Sequence, residues 1–168
     1  MVSATAGMYL CSKLFHMKVQ YLLAAVVLSA LMACNSSKIV TGEVNYIGSQ
    51  EPGTIQVSAA GYGATKKAAI ENAERNAFYN LLFKGIPGSQ YNLPMVPDGD
   101  KAQAKHKRYF TELLDEAGYK RFMMHSEPNS AFRPQVRSGE NVQNYLKIDV
   151  TSLRRDLESH QIIRKFGY

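Results

Sequence analysis

Between Thr54 and Tyr62 apolar and polar side chains alternate, with Ile55, Val57 and Ala59 on one side and Gln56 and Ser58 on the other. Period two predicts a half-buried strand. The period then changes. From Ala64 to Lys84, Ile70, Ala73, Ala77 and Leu81 form one stripe with Phe78 and Leu82 beside it, while Glu71, Asn72, Glu74 and Arg75 lie elsewhere. That spacing predicts a long helix, with Thr65 as its N-cap and Gly85 just past its end. Alanines on the stripe let the helix axis approach a sheet closely. A second helix is expected over about Lys101–Ala117, where Ala102, His106, Tyr109, Phe110, Leu113, Leu114 and Ala117 share a face and Gly118 comes next. Tyr119–His125 reads as a strand, and 127–139 as a loop or hairpin tip. Val142–Val150 alternates again, with Val142, Leu146, Ile148 and Val150 inward and Asn144 interrupting the set. Thr151 or Ser152 is expected to cap a last short helix carrying Leu153 and Leu157. Ile162, Ile163 and Phe166 form an apolar tail.

The order strand, helix, helix, strand, strand, helix predicts an α+β domain. A small, mainly antiparallel sheet of three to four strands would be packed by two long helices and a short C-terminal one. The last strand could pair beside the first, but neither register nor strand order is readable from the pattern. Val44–Ile47 reads as a short edge strand, with Glu51-Pro52-Gly53-Thr54 as the turn after it. The segment 86–99, with Pro87, Gly88, Pro94, Pro97 and Gly99, is a long loop. Long loops are often functional.

The front of the chain obeys another logic. From Met17 it runs MKVQYLLAAVVLSALMAC: Lys18, an apolar stretch, then small residues leading to Cys34. This is the pattern of a secretory signal and is short for a membrane span. Residues 1–16 are then a start-site artefact or an extension, 17–33 the signal, 34–53 a tether and 54–168 the single domain. Without residues 1–33 the chain keeps all 14 acidic residues but loses Lys13 and Lys18, so the net charge of +6 falls to +4. That mild surplus suits anionic headgroups or glycans without requiring them. Nucleic acid is not expected as a partner of an exported chain.

Gly61 and Gly63 precede the long helix in AAGYGATKK. The third glycine position of a dinucleotide fingerprint is Lys66, and no Walker pattern starts at either glycine. Lys66 and Lys67 at a helix start could attract an anion. The structural reading is favoured: the glycines permit a clash-free turn, and Gly61 lets helix and strand lie close.

Leu31-Met32-Ala33-Cys34 resembles the lipobox of bacterial lipoproteins. The resemblance implies a diacylglycerol and a further acyl chain on Cys34, which anchor stably together because each buried CH2 adds about 0.8 kcal/mol. Asn35, in place of an aspartate, implies the outer membrane, facing the periplasm. The block VSAAGYGATKKAAIENAERNAFYNLLFKGIPGS resembles the alanine-rich N-terminal module of the flagellar assembly T protein and related small envelope lipoproteins. With LRRDLESHQIIRKFG it is similar, over nearly the whole domain, to uncharacterised outer-envelope lipoproteins. This likeness implies an anchored, non-catalytic domain that binds or supports other envelope components.

Among candidate chemistries, His106, His125 and His160 have no ligand-spaced neighbour, so no metal or other cofactor is expected. His106 falls on an apolar face and reads as a hydrogen-bonded, partly buried residue. Asp98 and Asp100 are better placed to cap a helix than to act as an acid–base pair. Lys101, Lys105, Lys107 and Arg108 cluster on the second helix, and Arg154, Arg155, Arg164 and Lys165 near the end of the chain. If the clusters converge, they form a shallow basic face. Tyr91, Tyr109, Tyr119 and Tyr145 are aromatics able to stack on sugars or to pack. The expected role is a non-enzymatic interaction or accessory module with an envelope protein or glycan partner. The alternative is a hydrolase or lyase of an envelope glycan with 86–99 as its lid. Asp98, Asp100 and His106 in one deep cleft would favour the enzyme.

Overall fold

The computed structural model describes residues 42–129 and 140–165. The signal segment, Cys34, Asn35 and Phe166 lie outside the described residues. The architecture is α+β, with one four-stranded antiparallel sheet in the order β1-β2-β4-β3. Its strands are β1 (Val44–Gly48), β2 (Thr54–Gly63), β3 (Met123–Pro128) and β4 (Glu140–Asp149). β4 pairs beside β2 along the full length of both, from Thr54 opposite Asp149 to Gly63 opposite Glu140. β1 pairs with β2 through Val44 opposite Ala59 and Tyr46 opposite Val57. The folded domain therefore includes residues expected in a tether reaching to 53.

One face of the sheet is the core face. Ile55, Val57, Ala59, Leu146 and Ile148 are buried there, against Ala73, Ala77, Phe78 and Leu81 of helix α1 (Lys66–Phe83). Thr65 caps α1, its hydroxyl accepting from the Ala68 amide at 3.2 Å. Gly85 ends the helix at φ +81°, a left-handed position glycine adopts without a Cβ clash. Gly61 and Gly63 are strand residues rather than a turn. A Cβ at Gly61 would collide with the carbonyl of Ala69 and the amide of Ala73. The glycine is what lets β2 and α1 meet backbone to backbone.

The second expected helix is broken. α2 (Gly99–Lys105) stops at His106, whose φ of −113° and ψ of 37° are not helical. α3 (Lys107–Phe110) then runs into a π-turn, Thr111–Asp115. Leu113 and Leu114 of this turn are both buried, as the helical stripe had placed them. The molecule has one long helix among the described residues, not two. The strand expected at Tyr119 begins later. Gly118–Phe122 is a 3-10 turn, and β3 starts at Met123. Tyr119 and Phe122, three apart, both face inward, as a 3-10 turn allows.

The last helix, α4 (Val150–Ser159), takes the end of the expected strand. Its cap is Asp149, not Thr151 or Ser152: the carboxylate accepts from the Ser152 amide at 2.9 Å and the Ser152 hydroxyl at 2.6 Å. The Gly53 carbonyl accepts from the Val150 and Thr151 amides, joining the β1–β2 turn to α4. The 86–99 segment is pegged rather than loose. Ile86 and Val96 are buried, and the Met95 and Val96 amides bond to Leu81 and Leu82 carbonyls.

A basic surface groove as candidate functional site

The break at His106 shapes a shallow, open groove of about 440 Å³, lined by Lys105, His106, Lys107, Arg108, Tyr109, Glu112 and His160. Six of these come from the α2–α3 region and the π-turn, and His160 comes from the end of α4. Tyr109 joins the two. Its ring centroid lies 4.7 Å from that of His160, and its hydroxyl donates to Asp156 at 2.6 Å. Arg121 spans the network beneath, reaching Asp156 at 3.2 Å and Glu112 at 3.3 Å. Burial, then the Asp156 carboxylate accepting its hydrogen, pushes the Tyr109 phenol well above its ordinary value. Tyr109 is therefore a neutral, fixed donor at any physiological pH.

Arg121 bridges the two carboxylates, Glu112 and Asp156, and cancels one of their two charges. Lys105, Lys107 and Arg108 form no ion pair among the described residues. The groove is thus electropositive and has aromatic side chains in its lining. Such a surface can hold an anionic group by charge and a flat or apolar ring edge by contact.

Of the expected anion-binding residues, Lys105 and Arg108 line this groove. Lys101 is exposed on α2 outside its lining, and Lys66 and Lys67 are exposed on the first turn of α1. Arg154 and Arg155 do not line it either. Arg154 acts electrostatically on Tyr91, and Arg155 on Asp149. None of the C-terminal cluster, Arg154, Arg155, Arg164 or Lys165, enters the lining of this groove. The C-terminal helix contributes His160 instead, whose Nδ1 lies 2.9 Å from the Asp156 carbonyl. Tyr109 and His160 are 51 positions apart, and no periodicity links them.

His106 is half-buried, as its place on an apolar face suggested, and sits at the helix break. Asp98 occupies the N-cap position of α2 but does not cap it. Its backbone is left-handed, at φ 50° and ψ 50°, where a capping residue is extended, and its side chain makes no cap bond. Neither Asp98 nor Asp100 lines the groove. His125 is exposed and contacts Glu127 at 3.3 Å. Among the described residues no group of three or more His, Cys, Asp or Glu side chains is placed to hold a metal ion, and no helix is long and apolar enough to cross a membrane. The chain matches no family model, no curated protein and no solved structure.

Proposed function

We propose that this chain is a lipid-anchored envelope protein of the outer membrane, held at Cys34 and facing the periplasm. It serves there as a non-catalytic interaction or accessory module, similar in kind to the small envelope lipoproteins its sequence resembles. The observation that carries the reading is the groove. Three cations without acidic partners among the described residues surround a shallow surface, and the nearby carboxylates are already engaged by Arg121 and Tyr109. Shallow, exposed and rigidly backed, it suits contact with an acidic patch on an envelope protein or an anionic glycan. A glycan hydrolase or lyase would be better served by a deep cleft holding Asp98, Asp100 and His106 together. Only His106 lines the groove, and the 86–99 loop is pegged into the core.

Photo-crosslinking from position 107 in cells tests this. A discrete crosslinked partner is expected, weakened by Lys105→Gln with Arg108→Gln at unchanged abundance. No adduct, or an adduct indifferent to the two substitutions, removes the groove from the function.

A further inference from the structure

The sheet has a second face, and its chemistry differs from the groove's. Register places Gln56, Ser58, Ala60 and Tyr62 of β2 on it, beside Asn141, Gln143, Tyr145 and Lys147 of β4. This face is opposite the one that packs on α1. Tyr62 is 50% exposed and Tyr145 40% exposed, so both rings present surface to solvent. Tyr145 is not loose: its hydroxyl accepts from Asn129 at 3.1 Å, and Asn129 also donates to Gln143 at 3.2 Å.

Charge separates this face from the groove. Among the described residues its centre carries only amides, a hydroxyl and the two phenols. Charged groups stand at the margins and are engaged there. Lys147 pairs with Glu51 at 2.8 Å, His125 contacts Glu127 at 3.3 Å, and Glu43 accepts from Asn45 at 3.3 Å. Two polar atoms on the face, Ser58 Oγ and Asn141 Oδ1, are buried without a hydrogen-bond partner among the described residues.

Size narrows the occupant. The strands contain 5, 10, 6 and 10 residues. At about 3.4 Å by 4.8 Å per residue the face covers on the order of 500 Å². A stable protein–protein contact buries about 800 Å² on each partner. The face is small for a second folded protein and sufficient for a slender chain. Ser58 lies opposite Tyr145, and Tyr62 is four residues further along β2. The two rings therefore stand about 14 Å apart along the strands, with amides between them.

We propose that this open sheet face docks a neutral, hydroxyl-rich glycan chain, with Tyr62 and Tyr145 as stacking platforms and Gln56 and Gln143 as partners for its hydroxyls. A neutral polymer meets no charge mismatch there, and the apolar faces of its rings find two exposed aromatic surfaces. The site is separate from the basic groove and does not depend on it.

Affinity electrophoresis of the full chain in detergent tests this, in gels cast with a β-glucan, an α-glucan or a mannan. Retardation by at least one polymer is expected, unaffected by high salt. Tyr62→Ala with Tyr145→Ala should weaken it roughly tenfold, since both stacking surfaces are removed. An unchanged thermal midpoint establishes that the variant is folded. Tyr62→Phe with Tyr145→Phe should keep most of the retardation, because the rings remain. No retardation by any of the three, or full retardation by the alanine variant, overturns the proposal. So does a salt-sensitive interaction that tracks Lys105 and Arg108. A concentration-dependent dimer abolished by the alanine pair would assign the face to a second copy instead.

Discussion

Ser126 on β3 donates its hydroxyl hydrogen to Glu74 on α1 across 2.7 Å, under the sheet. Asn144 donates to Ser126 at 2.9 Å, and Tyr119 approaches the other Glu74 oxygen at 3.4 Å. The Glu74 residue is only 4% exposed. Among the described residues no cation pairs with it, so neutral donors carry its solvation. Ser126→Ala is expected to lower stability by about 2 kcal/mol, because it strands a buried acceptor. Adding Glu74→Met should recover much of that loss. Urea unfolding of the two variants at neutral pH measures both, and an equal or larger loss in the double variant would show that the network is not what Ser126 supports.

Tyr109→Phe keeps the ring against His160 but removes the bond to Asp156, for an expected loss of about 1–2 kcal/mol. The same tyrosine sets an alkaline limit. The phenols of Tyr109 and Tyr119 are both raised above the ordinary value of 10.0, through burial first and then the carboxylates of Asp156 and Glu74 respectively. A raised group stabilises the fold below its unfolded value, and that contribution disappears as pH rises. Stability should therefore fall from about pH 10 upward. Absorbance at the tyrosinate band should show these two phenols ionising only with unfolding.

Asp149 has the opposite sign. The hydroxyl and amide of Ser152 hold its carboxyl below the ordinary value. Its contribution is present above that value and is lost as pH falls through the depressed one. Asp149→Ala should cost about 1 kcal/mol at neutral pH. The difference from the parent chain should shrink in acid, as paired urea titrations at neutral pH and in strong acid would reveal.

Gly61→Ala forces a methyl group into the backbone of α1 at Ala69 and Ala73, neither of which can rotate away. A loss of about 3 kcal/mol is expected from overpacking. Gly48→Ala, with nothing within 4 Å of its new Cβ, is the matched control. Equal thermal midpoints for the two would show that β2 and α1 are not in backbone contact.

Cys34→Ser should abolish incorporation of labelled palmitate and move the protein out of the membrane fraction. Retained label would place the acyl chains on another residue.

Much of this fold was legible because burial imposes a period. Ile55, Val57 and Ala59 announced β2, and Thr65 and Gly85 bounded α1. Asn144 was visible as an interruption, though not as a link between strand and helix, since Ser126 and Glu74 are distant in sequence. The failures share a cause. Irregular turns replace the regular elements: Leu113 and Leu114 stay inward as helix spacing had them although the helix itself breaks, while Tyr119 and Phe122 face inward together where a strand would have put them on opposite sides. Asp149 alternated correctly as a strand residue, and only its bonds to Ser152 reveal a cap. The groove was half legible. Lys105, Lys107 and Arg108 are clustered in sequence, but His160 arrives through the packing of Tyr109 against α4.

Both outer strands of the sheet are poor templates. β1 is only five residues long and slips register between Tyr46 and Gly48. β3 slips between Met123 and His125 and closes on Pro128, which has no amide hydrogen to offer. Kinked, short rims of this kind discourage one copy from zipping onto the next. On the proposed lipid anchor, which would hold copies side by side in one plane, such rims protect against fibril growth and let each neighbour stay separately folded.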